Sequence, residues 1–199
     1  MAKHIDYYFT LISPWTYLGS ERFVAIAKRH GAAIQVKPVD YGRIFPVSGG
    51  LPLAKRAQQR QDYRLFELKR WREYLGVKLN LHPKYFPAAE GLAARMVVAA
   101  RRQSGDALGL AHSVLKAVWA EERNIADPAT LREIADRCGF DGKALLAAAD
   151  EPAVAAEYTA DTDAAIARGV FGAPTYIYNN EPFWGQDRLE FLDRALGRG

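Results

Sequence analysis

Alternating hydrophobic and polar positions at the start of the chain predict a β-α-β unit. Residues 4–10 are rich in β-forming side chains, and residues 34–39 alternate as a strand should. Between them, Ser13 and Pro14 form a preferred N-cap and first helical residue, and Gly31 is a typical helix stop. Two strands joined through a helix are expected to be parallel, with a right-handed crossover.

The pattern changes after Asp40. Residues 42–52 are punctuated by proline, glycine and serine and are predicted to form a loop. From residue 54 to about 168 apolar side chains recur at helical spacing, and the Asp-Pro and Glu-Pro pairs at 127–128 and 151–152 mark helix starts. This middle block is therefore predicted to be almost entirely helical.

Strand chemistry returns after Gly169. Residues 174–178 are β-prone, Asn179 and Asn180 signal a turn, and residues 182–184 read as the returning strand before a last helix. Neither end of the chain can bury its sheet faces alone, so the two are expected to combine into one four-stranded mixed sheet. The prediction is an α/β domain from residues 1–41 and 169–199, with an all-helical insertion at 42–168.

Composition narrows the function classes. The chain has 199 residues, of which 49% are hydrophobic, as expected for one compact unit with a large insertion. Lys and Arg exceed Asp and Glu by only four, an excess too diffuse to indicate a nucleic-acid partner. Basic residues crowd between Lys55 and Arg72 among Tyr63, Phe66 and Trp71, which favours an amphipathic helix with a solvated basic face over an anion-binding role.

Cys138 is the sole cysteine, so a dithiol or an intrachain disulfide is excluded. Its position at the end of a predicted helix favours a structural thiol, and the lack of disulfides is typical of the reducing cytoplasm. The start of the chain lacks the features of a signal peptide, and no apolar run is long enough to cross a bilayer. The four histidines show no metal-ligand spacing, so a cytoplasmic protein without a metal or a membrane segment is expected.

Ser13 is the first candidate functional residue. Ligands of open α/β sheets gather beyond the carboxyl ends of the strands, where the positive end of the first helix points. A thiolate would be stabilised there, and the Ser13 hydroxyl could donate a hydrogen bond to a thiolate that belongs to another molecule. A plain N-cap role is the alternative for this residue.

Two later segments offer further contacts. Pro174 begins a β-prone run, and a cis Ala173–Pro174 bond would leave the Ala173 backbone free to pair with an extended peptide; an ordinary trans proline is the alternative. Asp187 lies at the start of the last helix, where it either caps the helix or accepts an ammonium group. A helix start beside a carboxylate would suit an amino-acid headgroup that carries both charges.

Three motifs together carry a family resemblance. Residues 9–18, F-T-L-I-S-P-W-T-Y-L, resemble the active turn of the kappa-class glutathione transferase and 2-hydroxychromene-2-carboxylate isomerase family. Residues 169–175, G-V-F-G-A-P-T, are similar to the cis-proline motif of that family and of DsbA-like proteins, and residues 184–189, W-G-Q-D-R-L, to its glutathione-headgroup motif. The resemblance covers essentially the whole chain and implies a thioredoxin-like fold, glutathione as cofactor and a homodimer.

The resemblance also implies roles for single residues. Ser13 would donate to the glutathione sulfur, and Ala173, before Pro174, would pair with the cysteinyl backbone. The γ-glutamyl end would be held by Gln186 and Asp187, with Arg188 nearby.

One family contact is missing. The family often carries an asparagine in the loop after the second strand, and here Ser48 or Gly49 would have to replace it. The insertion would supply the second wall of the pocket, with Lys55, Arg56 and Tyr85 facing a substrate carboxylate.

The expected activity is a glutathione-dependent isomerisation of an aromatic, unsaturated oxo-acid. Reversible addition of the thiolate would make a double bond single, and rotation followed by elimination would return the sulfur with the geometry changed. A kappa-like transferase that conjugates electrophiles is one alternative. A non-catalytic module that binds thiols or peptides through the proline strand is the other.

Overall fold

The computed structural model describes residues 2–198, so the predicted domain limits at residues 1 and 199 fall outside the described residues. The strands are β1 (His4–Phe9), β2 (Ala33–Pro38), β3 (Thr175–Tyr178) and β4 (Glu181–Trp184). The helices are α1 (Pro14–Arg29), α2 (Tyr41–Ser48), α3 (Gln58–Leu75), α4 (Gly91–Arg102), α5 (Ala107–Trp119), α6 (Pro128–Arg137), α7 (Gly142–Ala149), α8 (Pro152–Ala167) and α9 (Leu189–Arg198). Short 3₁₀ helices occupy Leu53–Lys55 and Gln186–Arg188.

The four strands form one mixed sheet in the order β2-β1-β3-β4, which confirms the predicted fold class. Strands β1 and β2 run parallel, with Phe9 opposite Pro38. Strand β3 runs antiparallel to β1, with Thr175 opposite Tyr8, and β4 returns antiparallel to β3. The ends of β1, β2 and β4 and the start of β3 therefore share one edge of the sheet, which we call the carboxyl edge.

Local signals in the sequence start and stop several of these elements. The Ser13 backbone is extended (φ −81°, ψ 123°) before Pro14 opens α1, and Asp127 caps α6 by accepting hydrogen bonds from Ala129 N and Thr130 N. Asn179 and Asn180 both have positive φ, 49° and 64°, as a tight two-residue hairpin turn requires. The predicted turn and helix starts are confirmed at these positions.

The loop predicted for residues 42–52 is wrong over residues 42–48, because α2 covers Tyr41–Ser48. The Asp40 carboxylate accepts a hydrogen bond of 2.7 Å from Gly42 N and caps this helix, and Tyr41 and Ile44 are buried on its inner face. Pro46 lies inside the helix, where it cannot donate a backbone hydrogen bond to the carbonyl four positions earlier, which belongs to Gly42. Capping and burial thus outweigh the single hydrogen bond that proline removes.

Helix α3 differs from expectation in part. Its inner face is formed by the buried Leu68 and by Trp71 and Leu75, which pack against the core, so the helix is amphipathic as predicted. Tyr63 and Phe66 are not part of that face, because they are 57% and 60% exposed. The rest of the surface of α3 is mostly polar, and the rings of Tyr63 and Phe66 lie there among basic side chains. The guanidinium of Arg70, for example, lies 5.9 Å from the ring centre of Tyr63.

Helices of the middle block pack directly on the sheet and share its core. The largest buried side chains include Trp119 at the end of α5 and an aromatic cluster of Tyr7, Phe23 and Tyr176 between the sheet and α1. A charged contact joins α4 to α8, where Arg101 lies 2.7 Å from the carboxylate of Asp161. Within residues 2–198 no helix is both long enough and apolar enough to cross a membrane.

Candidate active site

The strand register brings the sequence-predicted segments to one place. Ser13 follows the end of β1, Pro174 precedes the start of β3, and Gly185 follows the end of β4, so all three lie at the carboxyl edge. A direct hydrogen bond of 2.9 Å from Gly185 N to Pro174 O joins the last two segments. Three motifs, the first and last of which are 172 positions apart (Ser13 to Gly185), therefore line one edge of the sheet.

Ser13 offers an unused donor at the positive end of α1. Its Oγ accepts a hydrogen bond of 3.2 Å from Thr16 N, and its carbonyl accepts one of 3.1 Å from Tyr17 N. Among residues 2–198 the Ser13 hydroxyl donates to no partner, and the Trp15 N–H has none either. Ser13 is thus the predicted N-cap and, at the same time, one of two free donors that point from a helix N-terminus.

The peptide bond between Ala173 and Pro174 is cis, as predicted. The carbonyl of the preceding Gly172 accepts hydrogen bonds from the Tyr41 hydroxyl (2.7 Å) and from Thr175 Oγ1 (2.6 Å). The half-buried Ala173 takes part in no hydrogen bond among residues 2–198. Its N–H and C=O therefore remain available to an extended chain laid along this edge.

The segment after β4 holds its side chains in two different ways. Gln186 is 1% exposed, and Arg22 of α1 donates both to its side-chain oxygen and, at 3.0 Å, to its carbonyl. The Asp187 carboxylate is exposed and accepts a hydrogen bond of 2.8 Å from Arg188. The Gln186 side chain is consequently committed to α1, which leaves Asp187 and Arg188 as the groups that can reach a ligand here.

An exposed aromatic pair borders the same edge. Phe171 and Trp184 meet edge to face with ring centres 4.8 Å apart, and they are 45% and 52% exposed. The indole of Trp184 covers Gly172 so closely that a Cβ there would lie 2.2 Å from its Nε1. The edge thus combines free polar groups with an apolar rim.

Glu90, which precedes α4, was not predicted from the sequence. Its carboxylate accepts hydrogen bonds from the Thr10 hydroxyl and, at 2.5 Å, from Leu11 N, and the Thr10 carbonyl in turn accepts one of 3.3 Å from Ser13 N. Burial raises the pKa of Glu90 to about 7, and the hydrogen bonds from Thr10 and Leu11 oppose that rise. Glu90 therefore fixes the turn that carries Ser13.

The residues predicted for the second wall are spread over the start of the middle block. Ser48 is the last residue of α2 and Gly49 follows in a left-handed conformation (φ 74°), so both lie at the far end of a helix that begins at the carboxyl edge. Lys55 is exposed, Arg56 donates to Leu51 O at 2.8 Å, and Tyr85 lies beneath Lys84. No hydrogen bond within residues 2–198 links these five residues to Ser13 or Ala173.

The remaining polar candidates have structural contacts. Cys138 follows the last residue of α6, is half-buried, and donates a hydrogen bond to Ser113 Oγ at 3.2 Å. His30 follows the last residue of α1, and its Nε2 lies 2.6 Å from the carboxylate of Asp193 in α9. In the described part of the chain, no group of three or more His, Cys, Asp or Glu side chains is arranged to hold a metal ion.

Comparisons with known proteins find relatives that match nearly the whole chain. The family model described as the DSBA-like thioredoxin domain matches residues 4–197. The 2-hydroxychromene-2-carboxylate isomerase of Pseudomonas putida is 30% identical over 197 residues, which cover 98% of this chain and 94% of that protein. The protein of the same name from Sphingobium xenophagum is also 30% identical, with coverage of 98% and 99%.

Solved structures extend the likeness to three dimensions. A 2-hydroxychromene-2-carboxylate isomerase structure superposes with a TM-score of 0.80 at 30% identity and covers 98% of this chain and 95% of its own. The cytosolic disulfide reductase DsbM from Pseudomonas aeruginosa, solved with GSH, has a TM-score of 0.67 at 18% identity, with coverage of 97% and 98%. At that lower identity the likeness concerns the fold alone.

Proposed function

Because the chain belongs to the DsbA-like thioredoxin domain family and, within it, to the 2-hydroxychromene-2-carboxylate isomerases, we propose that it is a glutathione-dependent isomerase. Its substrate would be an aromatic, unsaturated oxo-acid of the 2-hydroxychromene-2-carboxylate type. The observation that carries the proposal is the pair of free donors at the start of α1, the Ser13 hydroxyl and the Trp15 N–H, on the same edge as the free backbone of Ala173.

These groups fit a peptide that bears a thiolate. When bound, glutathione supplies the nucleophile whose reversible addition to a conjugated carbon lets the adjacent bond rotate. Ser13 donates a hydrogen bond to the thiolate, and the N-terminus of α1 lowers the pKa of the thiol through its partial positive charge. Ala173 pairs its N–H and C=O with the cysteinyl backbone, as a strand edge pairs with an added strand.

The headgroup contacts are assigned to the segment after β4. Asp187 accepts a hydrogen bond from the ammonium group, and Arg188, which already pairs with Asp187 at 2.8 Å, lies beside it. Gln186 serves through its backbone N–H, because Arg22 occupies its side chain. Gln186 would therefore contact the headgroup through its backbone and not through its side chain. Arg22, which holds Gln186 in place, would be a positioning residue for the headgroup.

The substrate wall is assigned to the start of the middle block. Ser48 and Gly49 replace the family asparagine, and Lys55, Arg56 and Tyr85 face the substrate carboxylate. Burial lowers the pKa of the Arg56 guanidinium, with Arg60 acting in the same direction, yet the group remains a cation at neutral pH. We further propose that the enzyme is a cytoplasmic homodimer.

Replacement of Ser13 tests the proposal. Ser13→Ala removes a donor that stabilises charge, so turnover is expected to fall by about 10²–10³-fold. The thiolate absorbance of bound glutathione should also appear at a higher pH than in the unaltered enzyme, because the bound thiol loses a hydrogen bond. Thr159→Ala, on the exposed face of α8, is the matched control and should change neither value.

Unchanged turnover in Ser13→Ala would remove Ser13 from the mechanism. Free thiol, counted during the reaction, separates isomerase from transferase, because an isomerase regenerates glutathione and a transferase consumes one molecule for each product. Stoichiometric loss of thiol would replace the isomerase proposal with that of a transferase.

A further inference from the structure

A second cleft opens between α1 and α5. Its volume is about 310 Å³, and α1 contributes Ser20, Glu21 and Val24 to its lining. These residues follow Ser13 by seven to eleven positions, which is about 10–16 Å along a helix. The cleft is therefore separate from the site at the carboxyl edge.

The walls of this cleft are mainly apolar. Val24 of α1 faces three side chains of α5, namely Leu108, Ala111 and Leu115. Tyr7 also lines the cleft; it is 1% exposed, and its hydroxyl has no hydrogen-bond partner within residues 2–198. A buried hydroxyl without a hydrogen-bond partner is unfavourable, and a polar ligand atom could offset that cost.

His112 supplies the cleft with an acceptor. Ser20 donates its hydroxyl proton to Tyr17 O at 2.9 Å, so its Oγ can only accept from His112 Nδ1, which lies 2.6 Å away. Burial lowers the pKa of His112, so the ring is neutral at pH 7 and above and its Nε2 keeps a lone pair. Because its proton is committed, Ser20 is not an activated nucleophile.

The polar rim selects against anions. His112 Nε2 lies 3.5 Å from the Glu21 carboxylate, and two acceptors that face each other can share a donor from a third molecule. The Asp106 carboxylate adds a second negative charge to the lining. We propose that this cleft is a binding site for a small neutral phenol, whose ring packs between α1 and α5 and whose hydroxyl donates to His112 Nε2.

Calorimetry with three probes of one shape tests the proposal. 2-Naphthol is neutral and has a donor, 2-methoxynaphthalene lacks the donor, and 2-naphthoate carries a negative charge. At pH 8, 2-naphthol is expected to bind at least tenfold more tightly than either of the other two. Equal affinity for 2-naphthol and 2-methoxynaphthalene would overturn the assigned hydrogen bond, and preference for 2-naphthoate would overturn the proposed ligand class.

Paired variants locate the binding. Val24→Trp fills the mouth of the cleft from a position that is 39% exposed, and Val47→Trp places the same ring on an exposed site of α2. Val24→Trp should weaken 2-naphthol binding at least tenfold and Val47→Trp should leave it unchanged. His112→Phe should remove the preference for 2-naphthol over 2-methoxynaphthalene. Equal binding by the two tryptophan variants would place the phenol elsewhere and refute the site, even if His112→Phe fails to fold.

Discussion

Glu90 should make the stability of the protein fall between pH 5 and pH 8. Burial raises its pKa from 4.5 to about 7, so the folded chain holds a proton that the unfolded chain has already released. Stability from this group is full below the unfolded pKa near 4.5 and is lost as the pH rises to about 7. The difference corresponds to about 3 kcal/mol, of which about 2–3 kcal/mol falls between pH 5 and pH 8.

Urea unfolding of the unaltered protein and of Glu90→Gln at pH 5, 6, 7 and 8 measures this effect. The amide that replaces the carboxyl can still accept a hydrogen bond from the Thr10 hydroxyl but does not titrate. The difference in free energy of unfolding between the two proteins should therefore shift by about 2–3 kcal/mol in favour of Glu90→Gln from pH 5 to pH 8. His112 acts in the opposite direction, because its pKa is lowered, but it is present in both proteins and cancels.

Glu73→Gln is the matched control, since Glu73 is exposed on α3. It should reproduce the pH dependence of the unaltered protein. If Glu90→Gln shows that same dependence, the carboxyl of Glu90 ionises normally in the folded chain, and the reasoning from its burial is wrong.

Two further substitutions probe the positions of α1 and α6. In Gly19→Ala, the new Cβ would lie 2.7 Å from Gln186 Cβ and 3.2 Å from the Tyr176 hydroxyl, so α1 and the segment after β4 must separate. We expect the free energy of unfolding in urea to fall by about 1–3 kcal/mol and calorimetry to show weaker glutathione binding. Unchanged glutathione affinity in Gly19→Ala would contradict the assignment of the headgroup contacts to the segment after β4. Asp127→Ala removes the acceptor at the start of α6 and should cost about 1 kcal/mol without changing turnover. If Asp127→Ala lowered turnover as well as stability, α6 would matter for the site, contrary to this account.

Local signals explain why much of the fold could be predicted. Ser13-Pro14 and Asp127-Pro128 start helices because cap and first-turn chemistry acts within a few residues, and Asn179-Asn180 turns the last hairpin for the same reason. Helix α2 was missed because its proline suggested a loop, whereas the burial of Tyr41 and Ile44 that stabilises it depends on the rest of the fold.

The candidate site shows the same difference between local signals, which could be predicted, and long-range contacts, which could not. The three motifs that line the carboxyl edge are each local, and their family resemblance, together with the predicted four-stranded sheet, led to the prediction that they contact one ligand. Glu90 contacts Thr10 and Leu11 across 79 or 80 positions of the chain, and no spacing rule connects a loop before α4 with the end of β1. The commitment of Gln186 to Arg22 is a contact of the same kind, 164 positions apart.

The proposed activity needs a thiolate, and the chain has one cysteine, Cys138, which lies at the end of α6 and not at the start of α1. The N-terminus of α1 carries the partial positive charge that would stabilise a thiolate, and Ser13 presents a free donor in the place where a cysteine would act. The proposed activity therefore requires the sulfur to arrive with another molecule. Ala173 offers the backbone that such a molecule would pair with.

A crystal structure of the protein soaked with glutathione tests this central claim most directly. The account predicts sulfur density within hydrogen-bonding distance of Ser13 Oγ, with the cysteinyl backbone paired to Ala173. Sulfur density away from Ser13 Oγ would contradict it.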